Sequence, residues 1–424
     1  MTPRPDPRAD GDLDRRAFLR GALAAPIALP LTTALGGGGL WLPRGERRTL
    51  LVLELQGGND GLNTVIPVDD ADYARLRPTL SAVRRGAHAL APGLALHPAL
   101  QRLAARLGRG DGAVVHGVGP AAPDRSHFRS RDVWYTADPS HDRVRAATTG
   151  WLGRAADLLA AAGAGMPAAS LGDVEVPLLL RSRSVVVPGL ARAEDHTLRA
   201  PGGGPAGEAL RRLVAGDAAA DTGAGRDDPD DGALAFASAM ATAALQQAET
   251  LQARLQRYRP AADYPDTDLG RALQLAARLA IGGAGTRLLH TAHGGFDTHA
   301  QQLPTHDGLL RQLDRALDAF LRDLEGHDRL GDTVVLVHSE FGRRAQENLS
   351  LGTDHGAGAP VFVLGGGVRA GAHGQRPDLA RLVDGDVPAT TDFRAVHADL
   401  LRWLGLAPAQ VIADAPLPLG LLPA

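Results

Sequence analysis

Four short apolar runs constrain the fold of this chain more than any other feature of its sequence. They lie at residues 49–55, 113–119, 333–338 and 361–365, and each is followed by a loop that contains glycine or polar residues. Short apolar runs bounded by glycines are typical of strands buried on both faces of a parallel sheet. We therefore expect these runs to lie together in a mostly parallel central sheet.

Helical periodicity between the runs predicts the layers that cover this sheet. Apolar residues recur about every 3.6 positions along one face of the segment 309–324, and a second apolar pattern occupies 400–404. Strands that alternate with helices predict an α/β fold, here a three-layer αβα sandwich. The segment from about 170 to 235 interrupts this alternation with Gly-, Pro- and Asp-rich stretches. We expect an insertion or cap there, within a single domain that spans 47–424.

Charge and cysteine content exclude several classes of protein. The chain has 424 residues, and its 45 Lys and Arg against 48 Asp and Glu give a formal net charge of −3. A nucleic-acid-binding protein needs clustered basic charge, so we predict no nucleic-acid partner. The chain contains no cysteine. It therefore has no disulfide partner, no thiolate zinc site and no cysteine nucleophile.

The first 46 residues have the pattern of an export signal. Arg15 and Arg16 precede Phe18 and Leu19, and a moderately apolar run rich in Ala and Leu follows. This pattern predicts a twin-arginine signal and linker over residues 1–46, with the twin-arginine translocation machinery as partner and a periplasmic or extracellular location. An arginine pair at a solvated helix start is the alternative. The signal could also remain as an anchor, because no clear cleavage site follows the apolar run.

Histidine is concentrated near the carboxyl ends of the predicted strands. Seven of the 15 histidines lie between His290 and His355. Ligands of open α/β sheets bind at the carboxyl ends of strands, and divalent metals bind to carboxylates and imidazoles. We therefore predict a metal site built from the loops that follow these strands. The acidic and histidine residues of those loops are Asp297, His299, Glu340, Asp354 and His355.

Structural roles are the alternative for every one of these side chains. Asp–His pairs in loops often form turns or cap helices. We expect His338, at the end of an apolar run, to lie in the core. We expect His306 and His327, which flank a helical segment, at the surface, whereas His290 and His293 remain open.

Ser126 precedes a helix-compatible segment and follows a Gly- and Pro-rich loop. A serine at a helix start is most often a cap, since its oxygen accepts a hydrogen bond from a free backbone N–H. The alternative is a nucleophilic hydroxyl, activated by a metal and placed where the helix dipole favours an anion. The spacing alone favours the cap.

Five motifs occur in the same order as in a known family. They are residues 55–63, 125–128, 294–299, 339–343 and 353–356. With these motifs the chain resembles the exported bacterial family called domain of unknown function 1501. That family is in turn similar to the alkaline phosphatase and sulfatase superfamily. The resemblance implies an alkaline phosphatase-like αβα sandwich that holds one or two metal ions.

The resemblance also implies a role for each candidate residue. Ser126 takes the place of the nucleophile. Arg125 and Arg343 could neutralise an anionic substrate, or form surface salt bridges. Glu340 resembles a ligand of a second metal ion. The resemblance implies a divalent ion, with zinc, manganese or calcium as the candidates. The residues that resemble its ligands are Asp60, Asp297, His299, Glu340 and His355.

The function implied is hydrolysis of a small phosphate or sulfate ester by an exported, metal-dependent protein. Formylglycine sulfatase chemistry is excluded, because the chain has no Cys-x-Pro-x-Arg motif. The superfamily's usual Asp-x-x-x-His is shortened here to residues 297–299. Gln56 also stands where the first strand usually ends in Asp, and Glu340-Phe341 stands where Asp-His is common. These departures favour the alternative, a non-catalytic exported binding or assembly protein with a degenerate site.

Overall fold

The structure is a computed structural model that describes residues 47–164, 166–172, 175–190, 255–282 and 285–423. The predicted export signal at 1–46 lies outside the described residues, as does the part of the 170–235 segment beyond Leu190. Within the described part of the chain, no helix combines the length and the apolar character needed to span a membrane.

A nine-stranded, mostly parallel sheet forms the centre of the described residues. All strands, in chain order, are β1 (Thr49–Leu55), β2 (Val65–Pro67), β3 (His88–Ala91), β4 (Leu94–Leu96), β5 (Gly112–Gly119), β6 (Ala168–Leu171), β7 (Gly189–Leu190), β8 (Leu288–His293), β9 (Thr333–His338), β10 (Ala359–Gly365), β11 (Gly371–His373) and β12 (Thr391–Asp392). The central sheet has the order β11-β5-β10-β9-β1-β8-β6-β7, with β12 also paired to β5. Strands β2, β4 and β3 form a separate small sheet. The four apolar runs are therefore confirmed as strands β1, β5, β9 and β10.

Helices pack on both faces of this sheet. In chain order they are α1 (Gly61–Thr64), α2 (Ala71–Leu76), α3 (Gln101–Arg109), α4 (His127–Thr136), α5 (His141–Ala146), α6 (Trp151–Ala161), α7 (Asp268–Ile281), α8 (Gln302–Gly326), α9 (Phe393–Trp403) and α10 (Pro408–Val411). Short 3₁₀ helices occur at Leu80–Arg84, Leu178–Leu180 and Leu330–Asp332. The helix predicted from the apolar period at 309–324 is confirmed as part of α8.

Alternation along β1 shows how the three layers form. Successive side chains of a strand point to opposite faces of the sheet. Leu51 and Leu53 pack in a core shared with α3, α7 and α8. Leu50 and Val52 pack in a second core shared with α4, α6 and α9. A sheet buried on both faces by helices is the predicted αβα sandwich, and the architecture is confirmed.

Strand β10 corrects one detail of the prediction. It runs antiparallel to both of its neighbours, β9 and β5, whereas the sequence pattern predicts a parallel strand. A parallel pair needs a crossover, usually a helix, to return the chain to the same end of the sheet. The connecting residues 339–358 form no helix, so the chain reverses directly into β10. Both ends of this connection therefore lie at the edge where β9 ends.

The described part of the 170–235 segment contributes one strand, β7, to the central sheet. Residues after β6 pass through the 3₁₀ helix Leu178–Leu180 and then form β7. Strand β7 pairs with β6 in parallel, through Ser170 with Gly189 and Leu171 with Leu190. The sheet thus extends to Leu190 before the chain leaves the described residues.

A glycine allows two loops to meet at the carboxyl edge of the sheet. Gly57 is the second residue after β1 and has a φ of +116°. A Cβ atom at this position would lie 2.4 Å from the backbone nitrogen of Asp297. Any side chain at this position would separate the loops after β1 and β8. The Gly57 N–H donates a hydrogen bond of 2.9 Å to Oε1 of Glu340, in the loop after β9. Three neighbouring strands therefore deliver their loops to one place.

Candidate metal centre

Histidine and carboxylate side chains converge at this edge of the sheet. The ligand atoms of His127, Asp297 and His355 all lie within 4.8 Å of one another. They come from the start of α4, the loop after β8 and the segment before β10. His299 joins them, because its Nε2 lies 3.0 Å from Oδ1 of Asp297. These four residues are a candidate site for a metal ion, and we call them the metal centre: His127, Asp297, His299 and His355.

Asp297 is the common neighbour of the three imidazoles. Its Oδ2 lies 3.4 Å from Nε2 of His127, and its Oδ1 lies 3.1 Å from Nε2 of His355. Burial on its own raises the pKa of Asp297, but hydrogen bonds from Arg343 and His355 outweigh it and lower the pKa to about 2. The carboxylate therefore stays ionised at neutral pH and supplies the negative charge of the centre.

The imidazole nitrogens fit a divalent cation. Nε2 of His299 and Nε2 of His355 are only 2.9 Å apart, so their two lone pairs need a shared proton or a cation. His127 Nε2 is buried and has no hydrogen-bond partner among the described residues. Buried polar atoms are nearly always paired in native proteins, and an orphan nitrogen beside a carboxylate is what a metal ligand leaves when the ion is absent. The donor set of nitrogen and oxygen atoms thus supports a metal site.

Glu340 holds His127 in position. Its Oε1 accepts a hydrogen bond of 2.8 Å from Nδ1 of His127, and its Oε2 accepts one of 2.9 Å from the Ser339 hydroxyl. A carboxylate on one imidazole nitrogen fixes the tautomer and turns the other nitrogen toward a metal. Glu340 is only 1% exposed. In this structure Glu340 contacts His127 from outside the metal centre. The family resemblance implies a different role for it, as a ligand of a second ion.

Arg343 holds the loop of Asp297. Its side chain is completely buried, and its guanidinium donates to Oδ1 of Asp297 at 2.7 Å. It also donates to the backbone carbonyls of Gly57, Gly58, Phe296 and Thr353. All three of its nitrogens are thus committed to the protein. Arg343 therefore positions Asp297, and its burial does not fit the predicted contact with a substrate.

Asp60 lies apart from the metal centre, in a buried ion pair. Its Oδ2 accepts a hydrogen bond of 2.7 Å from Arg77 and one from Gln302. Its Oδ1 accepts the backbone N–H of Asn63 and caps α1. Burial raises the pKa of Asp60, but the Arg77 guanidinium outweighs it and lowers the pKa. Both oxygens are occupied by donors, so the ligand role implied by the resemblance has no free atom in this structure.

Arg125 contributes to the site through its backbone. Its side chain forms an ion pair of 2.6 Å with Asp386, which is the salt-bridge alternative to a substrate contact. Its backbone carbonyl accepts a hydrogen bond of 2.7 Å from Nδ1 of His355. This bond ties the segment before α4 to the metal centre.

Ser126 occupies the N-cap position of α4 without forming the cap bond. Its backbone angles of φ −90° and ψ 125° are those of a cap residue, but its side chain accepts no hydrogen bond from the helix. Its own N–H donates to Oδ1 of Asp124 at 2.7 Å. The residue before it contacts His355, and the residue after it is His127. Ser126 is therefore the chain neighbour of one residue that contacts the centre and of one that belongs to it. Its hydroxyl group forms no cap hydrogen bond with α4.

His127 is the functional residue that sequence reasoning missed. It belongs to the motif at 125–128, in which the family resemblance implies roles only for Arg125 and Ser126. The available signal was a histidine at the first helical position, next to the candidate nucleophile. Its partner Glu340 lies 213 positions away in sequence, so no local pattern could reveal their contact.

Solved structures of low sequence identity resemble this fold. A protein in the alkaline phosphatase superfamily from Vibrio parahaemolyticus has a TM-score of 0.40 and 11% identity, with 88% of this chain and 70% of that chain covered. The lipoteichoic acid synthase LtaP from Listeria monocytogenes has a TM-score of 0.40 and 8% identity, with coverage of 90% and 78%. The C-terminal periplasmic domain of EcEptC from Escherichia coli, in complex with Zn, has a TM-score of 0.37 and 9% identity, with coverage of 75% and 72%.

Sequence comparison identifies the family. No curated protein shows significant sequence similarity to the chain. The family model described as protein of unknown function (DUF1501) matches residues 47–416. This range includes all five motifs and every residue of the metal centre. The chain therefore belongs to the DUF1501 family.

Proposed function

We propose that this protein is an exported, metal-dependent hydrolase of phosphate or sulfate esters, with Ser126 as its nucleophile. The observation that carries the proposal is the place of Ser126 at the start of α4. It follows Arg125, whose carbonyl binds His355, and precedes His127 of the metal centre. It has no cap hydrogen bond that would explain it structurally.

The residues of the centre have distinct tasks in this proposal. A bound divalent cation supplies a Lewis acid, which favours the ionised form of a hydroxyl and stabilises negative charge on an ester oxygen. Asp297 and the imidazoles of His127, His299 and His355 hold the ion. Glu340 fixes the ring of His127, and Arg343 fixes the Asp297 loop. The N-terminus of α4 favours negative charge at Ser126 through its free N–H groups and its dipole.

Zinc or manganese suits these residues better than calcium. Three of the four candidate ligands are imidazoles, and imidazole nitrogen is a preferred donor for zinc and other first-row metals. Calcium takes six to eight oxygen ligands, and the centre offers oxygen from the single carboxylate of Asp297. We therefore propose zinc or manganese as the resident ion.

The test is a substrate panel on purified protein. Aryl phosphate monoesters, aryl phosphodiesters and aryl sulfates should be assayed after chelation, and again after zinc or manganese is restored. We expect turnover of at least one ester class that disappears on chelation and returns with metal. Asp297→Asn should abolish this turnover, whereas Asp307→Asn, which alters an exposed ion pair with Arg311, should retain it. Metal-independent turnover, or full activity of Asp297→Asn, would refute the proposal.

A non-catalytic binding or assembly protein is the second candidate. The observation that favours it is that neither predicted substrate arginine offers a free guanidinium: Arg125 pairs with Asp386, and Arg343 is buried. Under this alternative the protein binds metal stoichiometrically, but no ester in the panel turns over.

Export is a further part of the proposal. The twin-arginine pattern at Arg15 and Arg16 supports a route that carries folded proteins, which suits a chain that acquires its metal before it crosses the membrane. We propose a periplasmic or extracellular site of action, with the twin-arginine machinery as the partner for export and a small anionic ester as the substrate.

A further inference from the structure

A second group of acidic and histidine residues lies inside the molecule, away from the metal centre. Glu54 is in β1 and is completely buried, on the face of the sheet that packs against α4. His290 in β8 and His338 in β9 flank it on the two neighbouring strands. No Lys or Arg of the described residues forms an ion pair with Glu54; within the same residues the one titratable partner with a nitrogen within 4 Å is His290.

Several atoms of this group lack partners. Oε1 of Glu54 and both ring nitrogens of His290 are buried without a hydrogen bond among the described residues. Oε2 of Glu54, in contrast, accepts hydrogen bonds from Tyr135 at 2.5 Å and from the Gln56 amide at 3.0 Å. A distance of 3.8 Å separates Oε2 of Glu54 from Nε2 of His290, too long for a hydrogen bond. Unpaired buried groups in this number require a specific explanation.

A cavity borders His290, one residue of this group. It has a volume of about 610 Å³, and His290 lines it although the residue is only 1% exposed. Gln56 and Tyr135, the two donors to Glu54, line it as well. Phe128 and Arg131 of α4 form part of its wall. The cavity is large enough to hold several water molecules beside His290.

The charge of Glu54 favours a cation in this place. Burial on its own raises the pKa of Glu54, but the neighbouring imidazoles of His290 and His338 and the Tyr135 hydroxyl lower it, to about 2. An ionised carboxylate in a dry interior is costly unless a positive charge lies beside it. A protonated imidazole could supply that charge, but it would leave Oε1 of Glu54 and a nitrogen of His290 unpaired.

We propose that Glu54 and His290 bind a second divalent metal ion beside this cavity. The unpaired Oε1 of Glu54 and one ring nitrogen of His290 are its protein ligands. The Gln56 side-chain oxygen and water from the cavity complete the coordination. A mixed set of carboxylate, imidazole and amide oxygen suits zinc or manganese. The site shares no ligand with the metal centre, so it stands whether or not the protein hydrolyses esters.

Zinc stoichiometry is the first test. Bound zinc per chain should be measured by equilibrium dialysis and elemental analysis for the wild type and for Glu54→Gln, His290→Gln and Asp297→Asn. We expect each of the first two variants to lose one zinc per chain, and the Asp297→Asn variant to lose zinc independently of them. His116→Gln is the matched control: His116 is a buried strand histidine with an unpaired nitrogen, and its charged neighbours are Arg376 and His373 rather than a carboxylate. It should keep all of its zinc.

The second test does not depend on whether a buried variant folds. Crystals of the wild-type protein soaked in zinc should show an anomalous difference peak at the zinc edge between Glu54 and His290. A peak at the metal centre alone would overturn the second site while leaving the first intact. Wild-type zinc content in folded Glu54→Gln and His290→Gln would overturn it equally, and the pair would then be a structural ion pair.

Discussion

Nδ1 of His127 lies 2.8 Å from Oε1 of Glu340, and this contact turns the other ring nitrogen of His127 toward Asp297. It joins the start of α4 to the loop after β9. The same Glu340 oxygen accepts the N–H of Gly57, so the loop after β1 is tied to the contact as well. One buried carboxylate therefore organises three loops around the metal centre without lying in it.

Replacement of Glu340 by Gln should weaken metal binding without removing it. The neutral amide can no longer act as a charged acceptor for His127, and the loss of such partners typically lowers metal affinity about 10-fold to 100-fold. Zinc affinity should be measured by competition with a chromogenic chelator. Glu325→Gln, on the surface beside Arg106 and Arg109, is the control and should bind as the wild type does. Unchanged affinity in Glu340→Gln would show that this carboxylate does not position His127.

The metal centre predicts how much zinc each chain binds. Replacement of His127, Asp297 or His355 by Asn should lower the zinc bound per chain. Each change should also reduce the rise in melting temperature that zinc causes in the wild type, because a ligand that binds only the folded chain stabilises it. His373→Asn is the control, since the His373 ring bonds to the Arg369 carbonyl outside the centre. Elemental analysis and thermal unfolding with and without zinc measure both quantities. Full zinc content in all three variants would contradict the assignment.

The sequence predicted the architecture better than it predicted the partners of polar residues. Apolar periodicity reports burial directly, and so it located β1, β5, β9 and the long helix α8. The strand β10 was identified, but its direction depends on the absence of a helix in the preceding connection. Direction is a property of chain connectivity, which a local pattern does not contain.

Polar residues took roles that depend on distant parts of the chain. His306 was expected at the surface, yet it is buried and its Nε2 bonds to the Asn59 side chain. Asp60 forms a buried ion pair with Arg77, and Glu340 accepts a hydrogen bond from His127; both contacts determine what these carboxylates do. A buried polar group is fixed by the one partner that satisfies it, and only the folded chain brings that partner close.

Asp60 and Arg77 make a prediction about stability. Both side chains are completely buried and form an ion pair of 2.7 Å. Asp60→Asn leaves the guanidinium without its counter-charge, which should lower the free energy of unfolding by about 3–5 kcal/mol. Asp72→Asn, in a more exposed pair with Arg75, should cost less than about 1 kcal/mol. Urea unfolding at neutral pH measures both values, and equal effects of the two substitutions would refute the structural role of Asp60.

The pH dependence of this pair has a definite sign. The pKa of Asp60 is lowered in the folded state, so the pair contributes its stability above the unfolded pKa of about 3.9. That contribution is lost as the pH falls through the lower folded pKa. The Asp60→Asn variant should therefore lose less stability than the wild type between neutral and strongly acidic pH. Zinc content of the variant should match the wild type while it remains folded, which a ligand role for Asp60 would not allow.

Export of the protein should depend on the arginine pair of the predicted signal. Arg15 and Arg16 should both be replaced by Lys, because the machinery recognises the arginine pair rather than positive charge alone. We expect the full-length protein to remain in the cytoplasm, as measured by cell fractionation and immunoblotting. The control is Arg47→Lys with Arg48→Lys, a second arginine pair that lies after the predicted signal; its export should be normal. Normal export of the first variant would contradict the twin-arginine route.

Substitution of Ser126 can distinguish a helix cap from a nucleophile, and Ser140 is the matched control. Both residues occupy N-cap positions without a side-chain cap bond, Ser126 before α4 and Ser140 before α5. Both backbone N–H groups donate to an aspartate two residues earlier. Replacement of either serine by Ala should therefore change the free energy of unfolding by much less than the ~1 kcal/mol that a lost cap costs.

Ester turnover should differ between variants of the two serines. Ser126→Ala should remove most ester turnover, whereas Ser140→Ala should leave it unchanged. Ser126→Asp should stabilise α4 by about 0.3–1 kcal/mol, since a negative charge at a helix start interacts favourably with the dipole. It should also hold zinc more tightly, because it adds a carboxylate beside the centre, and yet show no turnover. Chemical unfolding, zinc competition and the ester assay measure the three properties on the same preparations. Full turnover of Ser126→Ala would return Ser126 to a structural role at the start of the helix.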